Sequence, residues 1–490
     1  MRKRDEKGTR GSTRRQGAEF RAVRWAVRHP GVMALPTVGA GAVIEWGPGT
    51  AAVGAGWAAG VSVAAGVAWR RGAPGSFDYY AAPVLRAWRR RWGTYVGVRW
   101  RRVMEACELY RTDRRSGVDE FPRVVRVRAY SPSVDTVVVR MVRGQSAKQY
   151  EAKLEELADT LRVRRVAVER TKPGYVVLVI ERREPFTEVI AAPEMPGDVD
   201  AVDLSSVYVG DTEYDTDFRV SITGNHVFVA GATGAGKNSI PASILRALAP
   251  LIRDGLVRLW IADPKQLEFS KLEPIAYRYS SLSEAPDDED LDDDGHEGGE
   301  PLTIAALIGQ FKATMAAKQA RMAADGDRTL RVSPETPLDL LIVDEIGAVL
   351  AYAADPREAR MVSKDLAVIL TQGRATLNRV IGLVQEPTKD TVPVRDLFTL
   401  RVCLRVTTAA QVDMVLGENA RLRGALADEI PNVPETAGIG YVIQPRSRVP
   451  QRVRAAYVTD AELDELLAFV LAGRAALHTD SPEPHLKAVA

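Results

Sequence analysis

Cysteine is nearly absent. Cys107 and Cys403 are the only two in 490 residues, so a disulfide framework is excluded and a reducing compartment is expected. Histidine is scarce as well, with five residues scattered along the chain. Neither cysteine has a partner at metal-ligand spacing, which leaves no zinc site. Acid is missing from the front of the chain, where residues 1–104 hold 19 Lys/Arg against 5 Asp/Glu. The net charge of the whole is only +2, so the remainder is acidic to nearly the same degree. Such a split marks the basic end as the part that meets an anionic surface, lipid or nucleic acid. Between His29 and Trp69 the only formally charged side chain is Glu45.

That uncharged span reads as two apolar arms about the turn "EWGPG". The second arm, Thr50–Trp69, has 20 residues, enough to cross a hydrocarbon layer of about 30 Å as a helix. The first arm reaches that length only by recruiting Trp25, Ala26 and Val27, with Arg28 snorkelling to the headgroups. We expect a membrane hairpin of two helices over 29–69, behind a basic tail over 1–28. Basic flanks on both sides place both ends in the cytoplasm. A cleaved signal peptide is disfavoured, because a nucleotide loop lies downstream.

The rest divides by pattern. Residues 70–119 form a basic helical linker. Residues 120–200 hold a small α+β adaptor: "RVVRVRA", "DTVVVRMV", "VRRVAVER" and "GYVVLVIER" read as strands, and "AKQYEAKLEELADTL" as one helix. Residues 201–458 form an α/β motor domain of mainly parallel sheet, interrupted by an acidic surface insertion over 284–300. A C-terminal helix and tail over 459–490 follow.

The chemistry lies in the motor. "HVFVAGATGAGKNSIPASILRAL" is an apolar strand, a glycine-rich turn and a helix. In this setting Gly231, Ala232, Thr233, Gly234, Ala235 and Gly236 can curl so that backbone N–H groups face a phosphate. The helix N-terminus adds positive potential, and Lys237 reaches the outer phosphates. Asn238 stands where a Ser or Thr hydroxyl is usual, and Ser239 comes one residue late. An amide oxygen is also a hard neutral ligand, so Asn238 or Ser239 could meet a magnesium ion. Pro241 is a second oddity in the same helix. The run "PLDLLIVDEIGAVL" supplies the other half of such a site. There Asp344 is the expected magnesium ligand, and Glu345 the base that polarises a water. ATP and Mg²⁺ are the expected cofactors.

With these elements read, residues 205–458 resemble the FtsK/SpoIIIE family of double-stranded DNA translocases. "NHVFVAGATGAGK", "LWIADPKQLEF", "LLIVDEI", "TQGRATLNRVIGLVQEPTKD", "LFTLRVCLRVTTAAQVDMVLG" and "AGIGYV" carry the resemblance. Gln385 and Pro387 match the sensor segment, whereas Glu386 departs from the arginine usual between them. The apolar hairpin and small domain ahead of the motor narrow the likeness to Tra/TraB-type transfer proteins of actinobacterial conjugative elements. In that branch an extra residue between the loop lysine and a serine is familiar. The resemblance implies a RecA-like P-loop ATPase fold and a homohexameric ring around duplex DNA. It also implies a place in the inner (plasma) membrane with the motor in the cytoplasm, and accessory transfer proteins as partners. A cation lent by the neighbouring subunit is then required, with Arg401 first in line and Arg405 second. The 36 residues after Arg454 are too few for the winged helix that reads DNA sequence in the family, so contact with DNA is expected to be sequence-blind. The alternatives are an FtsK-like ATPase of a protein secretion system, a chromosome-partition motor, and a non-hydrolysing scaffold.

Overall fold

A computed structural model describes residues 43–113, 117–281, 302–350, 355–444 and 449–479. The basic tail, nearly all of the first apolar arm, the acidic insertion and the last eleven residues lie outside the described residues. The chain divides into two compact units, Met1–Pro83 and Val84–Ala490.

In the first unit, helix α1 runs Pro48–Gly72, started by the fixed φ of Pro48 at its first position. Among the described residues it alone is long and apolar enough to cross a membrane, with a mean hydropathy of 1.6 and no buried residue. Its 25 residues extend about 37 Å at a rise of about 1.5 Å each. Helix α2, Pro74–Tyr80, follows directly. Trp69 Nε1 donates to Ser76 Oγ at 2.8 Å, and the Trp69 and Phe77 rings meet edge to face.

The second unit opens with helix α3 (Ala82–Gly93), which belongs to it from Val84 onward, and with helix α4 (Val98–Ala106). An antiparallel sheet of four strands comes next: β1 (Arg123–Arg128), β2 (Val134–Arg140), β3 (Arg165–Arg170) and β4 (Tyr175–Glu181), in spatial order β1-β2-β4-β3. Tyr95, Trp100, Met104 and Leu109 share one core with Val137, Val139, Leu178 and Ile180 of this sheet. From Ala82 onward the basic stretch is thus packed structure rather than a spacer. The helix expected across residues 147–161 is broken into α5 (Ala147–Glu151) and α6 (Leu154–Leu161).

The large sheet has ten strands. Its elements are, in chain order, β5 (Val207–Thr212), β6 (Asp217–Val220), β7 (Val227–Ala230), α7 (Ser239–Ala247), α8 (Ala249–Arg253), β8 (Val257–Ala262), β9 (Arg278–Ser280), α9 (Ile304–Asp325), β10 (Leu338–Val343), α10 (Ile346–Leu350), α11 (Pro356–Gln372), β11 (Asn378–Val384), β12 (Leu400–Leu404), α12 (Ala409–Leu416), β13 (Ile439–Ile443), β14 (Pro450–Ala455) and α13 (Asp460–Thr479). The order across the sheet is β9-β8-β10-β11-β7-β12-β13-β14-β5-β6. The first six strands are mutually parallel and the remaining pairings antiparallel. A parallel strand covered on both faces must be apolar throughout. Val227 and Val229 accordingly enter one core, while Phe228 and Ala230 enter the other. Leu338, Leu340 and Ile342 divide from Leu341 and Val343 in the same way. Helix α13 joins one of these layers through Leu466 and Val470.

His226, buried just before β7, accepts the Val380 N–H on Nδ1 at 3.1 Å. Burial, then the Arg379 charge, holds its pKa down at about 3. An unfolded histidine takes up a proton near pH 6.5, so the unfolded chain gains protons that the native state refuses as pH falls from there toward 3. Stability from this residue is therefore present above pH 6.5 and lost on acidification, by about 2 kcal/mol between pH 6.5 and 4.5. His226→Asn keeps an acceptor for Val380 but cannot titrate. Thermal melts at pH 7 and pH 5 are expected to differ less in that variant than in the native chain.

Candidate nucleotide site

Strand register builds the site. Ala230 pairs with Val384 on one side and with Cys403 on the other, while Ala262 pairs with Val343. The residues that follow these strand ends are Gly231, Gln385, Arg405, Asp263 and Asp344. They therefore line one edge of the sheet, at the carboxyl ends of its parallel strands, where ligands bind in open α/β sheets.

The loop between β7 and α7 is pinned from both sides. Gly231 N donates to Val384 O at 3.0 Å, Ala232 N to Arg405 O at 2.8 Å, and Gly438 N to Ala235 O at 2.9 Å. Gly236 has φ +82°, and a Cβ there would stand 2.6 Å from the Gly438 nitrogen. Only glycine fits that position. Lys237 folds back to donate from Nζ to Gly231 O at 2.9 Å. Burial holds its pKa below the usual lysine value, with the charges of Glu345 and Asp344 acting in the opposite direction. Pro241 is the third residue of α7, within the first turn whose N–H groups have no helical partner, so its missing donor breaks nothing.

Glu345 is held at both oxygens. Its Oε1 accepts the Gln385 N–H at 3.1 Å, and its Oε2 pairs with Lys265 Nζ at 3.1 Å. Its backbone lies in the left-handed region at φ 51°, uncommon for a residue with a side chain and costly outside a constrained site. Thr233 Oγ1 donates to Gln385 Oε1 at 3.3 Å, tying the phosphate loop to the strand between β10 and β7.

Burial, then the charge of nearby Asp263, pushes the Asp344 carboxyl up to about 6. Asp263 is itself fully buried, with Oδ1 unpartnered, and the Asn238 Oδ1 is likewise buried without a partner. Carboxylate and amide oxygens are hard donors of the type magnesium takes, and among the described residues no cluster of three or more His, Cys, Asp or Glu gathers to hold a metal. A cleft of about 410 Å³ opens at the phosphate loop and Asn238, with Asp344 and Glu345 outside its lining. Thr233, Lys237, Ser239, Glu268 and Gln385 lie along it, and Tyr457, Val458 and Leu463 form a less polar wall.

The two arginines separate. Arg401 is the second residue of β12, with a side chain 27% exposed and paired to Asp396 at 2.9 Å. Arg405 is buried and donates from Nη2 to Thr233 O at 2.5 Å, within its own phosphate loop. Sequence reasoning gave Asp263 and Lys265 no role. The signal was available: β8 is an apolar strand running into an acid, the same pattern that singled out β10 and Asp344.

Residues 66–182 match the family described as actinomycete conjugal transfer protein N-terminal domain, and residues 195–289 match the FtsK/SpoIIIE family. The chain is 22% identical to a DNA translocase FtsK of Corynebacterium efficiens over 374 residues, 68% of this chain and 36% of that one. It is 23% identical to Protein Tra of Streptomyces lividans over 226 residues, 42% of this chain and 32% of that one. Among solved structures, the pCW3 conjugation coupling protein TcpA aligns with 71% of this chain and 93% of its own, at 14% identity and a TM-score of 0.45. The chain spans about a third of the length of the curated relatives it matches, with shares of 36%, 27% and 32%. The phosphate loop of this P-loop ATPase site thus lies in a segment similar to the FtsK/SpoIIIE family, behind a segment similar to the N-terminal domain of actinomycete conjugal transfer proteins.

Proposed function

We propose that the chain is a membrane-anchored motor that couples ATP hydrolysis to movement of double-stranded DNA in conjugative transfer of a plasmid or integrative element. The observation that carries this reading is the strand register that sets the Lys237–Gly231 phosphate loop, Asp344 and the Gln385-bound Glu345 at one edge of the sheet. The relatives named DNA translocase and Protein Tra support the substrate and the process. Residues 29–69 would form the anchor in the plasma membrane, 120–200 an adaptor, and 201–458 the cytoplasmic motor, assembled as a homohexamer with accessory transfer proteins.

In this reading the loop N–H groups and Lys237 bind the phosphates. Glu345 takes the proton of the attacking water, aligned by Lys265 and the Gln385 N–H. Asp344, with Asn238 or Ser239, would hold a magnesium ion, which neutralises charge on the phosphate oxygens when bound. Arg401 would approach the site of the adjacent subunit. Arg401→Ala is expected to lose about 10³-fold in turnover or more while still binding ATP. Rings mixed from Arg401→Ala and Lys237→Ala subunits should regain activity where an intact Arg401 meets an intact Lys237. Failure of the mixture to recover would mean that Arg401 does not act between subunits.

The reading is tested by ATP hydrolysis in the assembled ring with and without linear duplex DNA, beside Lys237→Ala. Duplex of any sequence should raise turnover several-fold. That stimulation should fade with salt as phosphate contacts are screened. A ring that hydrolyses ATP but ignores duplex would belong with the protein-secretion ATPases instead.

A further inference from the structure

Helix α3 is built inside out. Val84, Leu85, Trp88 and Trp92 follow a helical stripe and are 67%, 57%, 65% and 62% exposed. The opposite face carries Arg86 and Arg90, with Arg91 on its flank, and these are the residues fastened to the protein. Arg86 donates to Ala129 O at 3.4 Å and Tyr130 O at 2.5 Å. Arg90 pairs with the buried Asp135 carboxylate and donates to Pro132 O at 2.6 Å. Arg91 donates to Val125 O at 3.0 Å. Asp135 also accepts from Tyr95 Oη and Arg182 Nε, both at 2.7 Å. The helix cannot roll to bury its tryptophans without unmaking this set. A helix facing water at that surface would show the reverse arrangement.

We infer that this outward stripe of α3 lies in the interfacial layer of an anionic bilayer; the inference rests on the membrane reading above. Three observations select lipid as the occupant. Trp and Leu on one face with arginine beside them is the composition of an interfacial helix. Arg89 on α3, and Arg99 and Arg102 on the following helix α4, are exposed and match headgroup phosphates in charge. Val84 also follows Gly72, the end of α1, by only twelve residues, a tether of at most about 40 Å. The small sheet would then be fixed to the bilayer at two places, the spanning helix and α3, and its orientation would be set rather than free.

The test uses the full chain in vesicles of phosphatidylglycerol and phosphatidylethanolamine. An environment-sensitive NBD probe is placed by Trp88→Cys, Trp57→Cys or Ala323→Cys. The native thiols Cys107 and Cys403 are buried, so labelling is selective. The Trp88 probe is expected to be quenched more by shallow than by deep doxyl lipids, the Trp57 probe in the reverse order, and the exposed Ala323 site by neither. Adding Arg89→Gln and Arg102→Gln should reduce the Trp88 quenching at least twofold. A Trp57 probe in lipid with an unquenched Trp88 probe would overturn the proposal and leave the anchor standing. Quenching at neither site would remove the membrane reading itself. A Trp88 signal that follows protein concentration and ignores the quencher would assign the stripe to a second copy, and the proposal would fall.

Discussion

Replacing Glu345 with glutamine is expected to lower ATP turnover about 10²- to 10⁴-fold, the contribution of a general base, with nucleotide affinity close to native. The amide is nearly isosteric and keeps an oxygen for the Gln385 N–H. It loses the negative charge that now pairs with Lys265 and the basicity that takes a proton from water. Binding depends on the loop and Lys237, which the change does not touch. Fluorescent-nucleotide titration and single-turnover hydrolysis separate the two effects. Lys265→Met is the informative companion. It leaves the carboxylate in place but removes the cation at Oε2, so turnover should change while the Gln385 bond persists. If Glu345→Gln hydrolysed within about threefold of native, the base would lie elsewhere, because loss of a working base costs far more. The left-handed backbone at Glu345 and its two fixed oxygens would then need another account.

Which parts of this site could be read from residues alone follows from how far apart the partners lie. The phosphate loop was legible because its strand, glycines, lysine and helix are contiguous, and Asp344 because the apolar run Leu340–Val343 leads directly to it. The bond from Gln385 N to Glu345 spans 40 residues, and the Lys265–Glu345 pair spans 80. Neither has a local pattern, since only the parallel order of β8, β10 and β11 brings them together. The arginines of α3 show the opposite failure. In sequence they read as a solvated basic run, whereas Arg86, Arg90 and Arg91 are spent on backbone oxygens and a buried carboxylate. Composition reports how many cations there are and is blind to which face of a helix they occupy.

The junction between the small sheet and the motor should be equally sensitive to one substitution, with Arg165→Ala expected to cost about 3–5 kcal/mol, the range for removing one partner of a buried ion pair. Arg165 on β3 reaches Glu213 Oε2 at 2.6 Å and Glu181 Oε2 at 3.1 Å, and donates to Gly424 O at 2.6 Å. Its guanidinium also lies 5.3 Å from the centroid of the Tyr441 ring. Arg452 on β14 holds the other Glu181 oxygen at 2.6 Å, and its backbone N–H reaches Glu213 at 3.3 Å. All four charged residues are buried, so the alanine variant strands the Glu213 carboxylate away from water with only that N–H in support. Arg165→Met with Glu213→Gln removes both charges and should recover most of the loss, which denaturant melts of the single and double variants would measure. The consequence reaches the nucleotide loop. Tyr441 stands three residues after Gly438, whose N–H anchors Ala235, and β13 is the rigid link between them. If Arg165→Ala cost less than about 1 kcal/mol, the value of an exposed pair, water would have to reach this network, and the small sheet would not be seated on the motor firmly enough to transmit a pull.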